Sequence, residues 1–128
     1  MRAPLDRVAL FAGAVRLTSG MQFLVAPEKT NRMWGDKEEP STTAKILLRS
    51  MGYRDALIGT VLLSSALRRQ DTRPWLLASA GADGADLVGS LAVYGKLNRH
   101  QKSLGLGGAV FGVAYGLWGA ARAATRSV

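Results

Sequence analysis

The chain has 128 residues, nearly half of them apolar, with 15 glycines and a formal net charge of +8. This length favours a single domain, residues 1–128. The absence of cysteine excludes a disulfide framework and a thiolate metal site, and the lone histidine, His100, excludes a zinc or haem site built on paired histidines. We expect no catalytic, cofactor or metal site, and therefore no enzyme.

Most of the basic residues flank the apolar runs. Basic residues at the ends of apolar runs are typical of juxtamembrane anchors that meet anionic lipid headgroups. No run of basic residues is interleaved with aromatic residues, so we do not expect nucleic-acid binding. The glycine content favours a membrane protein, because small residues allow helices to pack closely in lipid. The expected first partner is therefore the lipid bilayer.

The first two apolar runs predict helices at about residues 8–26 and 42–67. Arg16 interrupts the first run, which argues against a cleaved secretory signal and favours a helix that stays attached. Pro27 is expected to end this helix. Hydroxyl residues after Pro40 can cap the second helix.

The last two apolar runs predict helices at about residues 74–95 and 103–124. Pro74 suits the first turn of the third helix. Trp75 and Tyr94 lie 19 residues apart, about 28 Å along a helix, which matches the thickness of a bilayer core. The fourth helix carries no charge over residues 103–121, so it lacks the polar face that a soluble four-helix bundle requires.

Four spans with short connections predict an all-α, up-down bundle of four transmembrane helices. We expect a multi-pass protein of the plasma membrane. The basic residues on the two sides are equal in number, and the acidic residues favour termini in the cytoplasm.

Glycines recur along one side of the fourth helix. Gly108, Gly112 and Gly116 are spaced by four residues, and Gly105, Gly112 and Gly119 by seven. These spacings predict a smooth packing seam, either within the bundle or against a partner. The alternative is ordinary glycine enrichment in a membrane helix.

Six charged residues lie in the interior of the predicted spans, away from the span ends, where charge is costly and requires a partner. The members of this predicted charge network are Arg16, Arg49, Arg54, Asp55, Asp83 and Asp86. Three arginines and three aspartates would form a neutral set. Asp83 and Asp86 share a face of the third helix because they are three residues apart. The network either locks the register of the bundle or lines a polar cavity that binds a ligand.

The charged positions and several small residues resemble a family of four-helix membrane proteins of unknown function that is frequent in actinobacteria. The matching residues are Arg16-Leu17 with Gly20, Ala26-Pro27, Leu48-Arg49 with Gly52-x-Arg54-Asp55, Gly59, and Asp83-x-x-Asp86. The resemblance implies the four-span fold and a role for these charges. It implies no activity.

Two functional hypotheses follow. The first is a non-enzymatic accessory or structural subunit, or a self-associating bundle, that meets another membrane protein or itself through the glycine face of the fourth helix. The second is a carrier or binder of a lipophilic or protonatable small ligand. A glycine face buried on another chain would favour the first, and an open polar cavity around Asp83 and Asp86 would favour the second.

Overall fold

The computed structural model describes residues 5–33, 39–99 and 101–126, and every regular element among them is a helix. A 3₁₀-helix at Tyr94–Lys96 and a π-helix at Gln101–Leu106 connect the fourth α-helix to the fifth. The α-helices are α1 Arg7–Val25, α2 Pro27–Met33, α3 Thr42–Leu67, α4 Arg73–Ala92 and α5 Gly107–Arg126. The all-α class predicted from the sequence is confirmed.

The connection between the first two long helices differs from the prediction. The first predicted helix ends before Pro27, as expected, since α1 stops at Val25, but Pro27 then begins a second helical segment, α2. Proline suits the first turn of a helix because its missing N–H would have no intrahelical acceptor there. α2 is held against α3 by an ion pair of 2.8 Å between Glu28 and Lys45. The hydrogen bond and the charge of the Lys45 ammonium lower the pKa of the Glu28 carboxyl.

Capping side chains fix the beginnings of two long helices. Asp6 accepts a hydrogen bond from the Ala9 backbone N–H at the start of α1, and Ser41 does the same for Ala44 in α3. The second oxygen of Asp6 accepts a bond of 2.6 Å from the Thr72 hydroxyl. This bond ties the start of α1 to the loop between α3 and α4.

The four long helices form two closely packed pairs. α1 packs mainly against α3, α4 packs mainly against α5, and fewer contacts join the pairs to each other. The pairs meet at one end in a small apolar core, where Leu62 and Leu76 are fully buried. The other core residues are Ala9, Ala66, Ala120 and Ala123. Away from this end the two pairs enclose the space described below.

The α1–α3 pair is held at very short range by glycines. A Cβ on Gly20 would lie 2.5 Å from the Ala56 backbone nitrogen, and a Cβ on Gly52 would lie 2.6 Å from the Gly20 carbonyl oxygen. One helical repeat away, a Cβ on Gly59 would lie 2.8 Å from the Gly13 carbonyl oxygen. Only glycine allows backbones to approach this closely, as in membrane helix pairs.

Two helical segments, Arg7–Val25 and Gln101–Ala123, are long and apolar enough to cross a membrane. α3 and α4 have 26 and 20 residues, which also suffices in length. Each of them contains charged residues that lower its hydropathy, including Arg54 and Asp55 in α3 and Asp83 and Asp86 in α4.

Candidate functional site

Five charged side chains form a continuous chain of ion pairs across α1, α3 and α4. The Arg16 guanidinium lies between two carboxylates: Nη1 is 3.0 Å from Asp55 Oδ1, and Nη2 is 2.5 Å from Asp83 Oδ2. The Arg54 guanidinium bridges in the same way, at 3.1 Å from Asp55 Oδ1 and 3.1 Å from Asp86 Oδ2. We call these five residues the charge cluster.

The structure brings together five of the six residues of the predicted charge network. Arg49 does not join them, and the prediction that it converges on the aspartates is wrong. Its side chain is exposed on α3, close enough to Glu28 to help lower the pKa of that carboxyl. Residue 49 precedes Asp55 by six positions, which places it about 120° around the helix from the inward face.

Because Arg49 lies outside the charge cluster, the charge balance of the site differs from the prediction. The predicted network was neutral, whereas the charge cluster contains three aspartates and two arginines. With all five side chains ionised, its formal charge is −1. Burial also varies along the cluster: the side chains of Arg16 and Asp55 are 10% and 11% exposed, whereas those of Arg54 and Asp86 are 36% and 40% exposed.

The glycine contacts between α1 and α3 explain why Arg16 and Asp55 meet. Each residue follows a crossing glycine by three positions, Gly13 in α1 and Gly52 in α3. Each lies on the interface side of its helix, where the backbones are closest. Arg16 Nη2 also donates to the Ser79 carbonyl oxygen at 3.3 Å, so α4 supplies backbone as well as carboxylate to the cluster.

The predicted glycine seam of α5 is covered within the chain over part of its length. A Cβ on Gly116 would lie 2.9 Å from the Ala80 Cβ, and a Cβ on Gly112 would overlap the Asp83 carboxylate. A Cβ on Gly119 would lie 2.8 Å from Val8 Cγ1. These three glycines serve packing inside the bundle.

The other two predicted seam glycines do not take part in this packing. A Cβ on Gly105 would meet no atom within 4 Å, and Gly108 is exposed. Gly105 lies in the π-helix, whose wider turn places residues 101–106 out of step with the α-helical spacing from which the seam was predicted.

A cavity of about 720 Å³ lies between the two helix pairs. Its lining comes from α1, α3, α4 and α5 and includes four members of the charge cluster: Arg16, Asp55, Asp83 and Asp86. The volume is within the range of small-molecule sites, about 300–1,000 Å³. The cavity therefore combines space for a ligand with charged groups that could orient it.

Aromatic side chains form much of one wall of the cavity. Tyr115 of α5 stacks on Phe111 with ring centroids 5.7 Å apart and meets the edge of Phe11 at 5.8 Å. The Tyr115 hydroxyl donates to the Val8 carbonyl oxygen at 3.3 Å, which fixes the ring between α1 and α5. Phe23 lines the cavity from α1. Sequence reasoning did not identify this wall, although Phe111 and Tyr115 are spaced by four residues on one helix face.

Sequence reasoning also did not identify the close α1–α3 crossing. Its signal was present as two pairs of glycines, each separated by seven residues: Gly13 with Gly20 and Gly52 with Gly59. Residue His100 lies outside the described residues. Within residues 5–33, 39–99 and 101–126, no group of three or more His, Asp or Glu side chains could hold a metal ion.

Comparison with known proteins identifies a family. The model of a domain of unknown function, DUF4267, matches residues 13–122 of the chain. The chain therefore belongs to the DUF4267 family, and its membership of a family of unknown function agrees with the resemblance seen in the sequence. No curated protein and no solved structure matches the chain.

Proposed function

We propose that this member of the DUF4267 family is an integral membrane protein of four spans that binds a lipophilic small molecule between its two helix pairs. The observation that carries this proposal is the cavity of about 720 Å³ with the carboxylates of Asp83 and Asp86 in its lining. We propose no reaction for the site, since its charged groups are paired with each other rather than with a nucleophile.

The distribution of apolar side chains supports four spans. Each long helix exposes large apolar residues that do not line the cavity, for example Val25 on α1, Leu57 on α3, Val88 on α4 and Leu117 on α5, all more than half exposed. So much apolar surface suits lipid rather than water. The charges of α3 and α4 that belong to the charge cluster are paired across helices, as charges within membrane helices require. Arg49 of α3 is exposed and lies outside this pairing.

In this arrangement both termini lie on one side of the plasma membrane, together with the α3–α4 loop. We propose that this side is cytoplasmic, as the acidic residues favour. The α1–α3 and α4–α5 connections then lie on the opposite side.

The charge cluster has two roles in this proposal. Arg16 and Arg54 link α1 and α3 to the aspartates of α4, so their ion pairs hold the two helix pairs together. These ion pairs stabilise the bundle only if every buried charge keeps its partner. It also places carboxylates on the cavity surface, where they can bind a polar group of a ligand. The structural interpretation and the ligand-binding interpretation therefore describe the same residues.

An accessory subunit was our first hypothesis from the sequence. One of its two motivations, beside the lack of a soluble domain, is a glycine face available to a partner, and Gly112, Gly116 and Gly119 are instead packed against residues of the same chain. We therefore place ligand binding first. A stoichiometric protein partner would be the result that returns the accessory role to first place.

The experiment compares three forms of the protein by native mass spectrometry after extraction from the producing cells' membranes in mild detergent. Gly89 and Gly81 are both exposed residues of α4 at which a Cβ would meet no atom within 4 Å, but only Gly89 lines the cavity. Gly89→Leu fills cavity space, and Gly81→Leu is the matched control.

We expect the wild type and Gly81→Leu to retain a small molecule and Gly89→Leu to lose it. The proposal is contradicted if the wild type retains no small molecule, or if all three forms retain it equally. Equal melting temperatures of the two variants would show that the difference is not caused by unfolding.

A further inference from the structure

We infer that the ligand of this cavity is a lipophilic cation, such as an amphiphilic amine or onium ion, whose positive charge binds at Asp86. This inference rests on the proposed function and specifies the chemical class of its ligand.

The first argument is the charge of the cavity wall. Three carboxylates line the cavity, those of Asp55, Asp83 and Asp86, whereas Arg16 is the one guanidinium among its lining residues. The second arginine of the cluster, Arg54, contacts Asp55 and Asp86 from outside the lining. The cavity therefore presents more negative than positive charge to its contents. In a region of low dielectric, such an excess strongly favours a cation.

The second argument is the difference between the three carboxylates. Asp55 accepts from both guanidiniums, and Asp83 forms the shortest ion pair of the cluster, 2.5 Å to Arg16. Asp86 is bound by one cluster arginine, as Asp83 is, but its contacts with Arg54 are longer, at 3.1 Å through Oδ2 and at 3.4 and 3.5 Å through Oδ1. Its side chain is also the most exposed of the three, at 40%. Asp86 is thus the carboxylate that a ligand in the cavity can reach.

The third argument is the aromatic wall. Phe11, Phe23, Phe111 and Tyr115 line the same cavity as the carboxylates. Faces of aromatic rings attract cations, and cages of aromatic side chains recognise quaternary ammonium ligands in other proteins. The apolar part of a lipophilic cation would contact these rings while its charge lies near Asp86.

The experiment measures binding of two probes of nearly equal size and shape but opposite charge, tetraphenylphosphonium and tetraphenylborate. Equilibrium dialysis with the purified full-length protein in mild detergent gives the dissociation constant of each. We expect tetraphenylphosphonium to bind about tenfold tighter or more, because it adds a favourable charge interaction where tetraphenylborate adds a repulsive one.

Asp86→Asn tests the position of the charge. The amide keeps an acceptor for Arg54 but removes the negative charge, so tetraphenylphosphonium affinity should fall about tenfold. Asp71→Asn makes the same change of charge in the exposed α3–α4 loop, outside the cavity, and should leave the affinity unchanged. Gly89→Leu should weaken binding of the probe, and Gly81→Leu should not.

The outcomes separate this inference from the proposed function. If both probes bind equally, or tetraphenylborate binds tighter, and Gly89→Leu weakens both, the cavity binds ligands but the cation inference is overturned. If Asp86→Asn and Asp71→Asn behave alike, the assignment to Asp86 is overturned. If neither probe binds, the inference fails, and the retained-molecule experiment alone decides the proposed function.

Discussion

Arg16 is the residue on which the charge cluster depends. Its side chain is 10% exposed and is shared between Asp55 and Asp83, which are 11% and 17% exposed. Removing the guanidinium would leave two carboxylates in a low-dielectric interior with only Arg54 to compensate them. The removal of one partner from a buried ion pair is far more costly than the removal of an exposed charge.

We therefore predict that Arg16→Met lowers the free energy of unfolding in detergent by about 3 kcal/mol or more. Arg49→Met is the matched control, since Arg49 is an exposed arginine of α3 outside the cluster. Its effect should be within about 0.5 kcal/mol. Unfolding titrations followed by circular dichroism measure both. Equal effects of the two substitutions would contradict the role assigned to Arg16.

At the scale of helices, the closest contact is the crossing of α1 and α3. Gly20 and Gly52 place the two backbones so near each other that each glycine occupies the space where the other would carry a Cβ. The crossing sets the distance between Arg16 and Asp55, which lie on the same two faces. Packing and ion pairing are therefore coupled: a change that separates the helices also lengthens the ion pair.

We predict that Gly20→Ala destabilises the protein by about 1–3 kcal/mol, because the added methyl group would force α1 away from α3. Gly81→Ala serves as the control. It places the same methyl group on α4 in open space, and should leave stability unchanged or raise it by up to about 1 kcal/mol through helix propensity. Melting curves in detergent would report both, and a tolerated Gly20→Ala would contradict the close crossing.

The sequence was informative about helices where capping and apolar runs agree. The bounds predicted for the second helix, 42–67, coincide with those of α3, which begins after the Ser41 cap. It was less informative about connections. Pro27 is compatible with both an end and a beginning of helical structure, and the π-helix at Gln101–Leu106 has no sequence signal that a helical-periodicity argument detects.

The sequence also predicted part of the candidate site. Charges in apolar runs identified the cluster residues, because burial makes pairing obligatory. The sequence did not distinguish Arg49 from Arg54, since the assignment depends on helix orientation. Arg54 is adjacent to Asp55 and reaches around the helix with its long side chain, whereas Arg49 lies with Lys45, four residues earlier, towards α2. The cavity has no sequence signal, because it results from the separation of the two helix pairs.

The whole molecule is best understood as two helix pairs joined at one end by an apolar core and near the middle by the charge cluster. This arrangement explains why charges occur in helices with otherwise apolar outer faces, and why a cavity remains between the pairs. Our proposal includes a claim about the membrane, that α3 and α4 cross it together with α1 and α5, which would place the charge cluster and the cavity within the bilayer.

The most direct test of that claim is to determine on which side of the membrane three positions in the connections lie. The chain has no cysteine, so single cysteines can be placed at Glu39, Gln70 and Lys96 in the connections between the long helices. Labelling of intact cells with a membrane-impermeant maleimide is compared with labelling after permeabilisation.

Four spans predict that Glu39→Cys and Lys96→Cys are labelled in intact cells, whereas Gln70→Cys is labelled only after permeabilisation. Reversal of all three would change the orientation but preserve the four spans. If only α1 and α5 cross the membrane, all three positions lie on one side and label alike. That result would place α3, α4 and the charge cluster outside the bilayer and contradict the account.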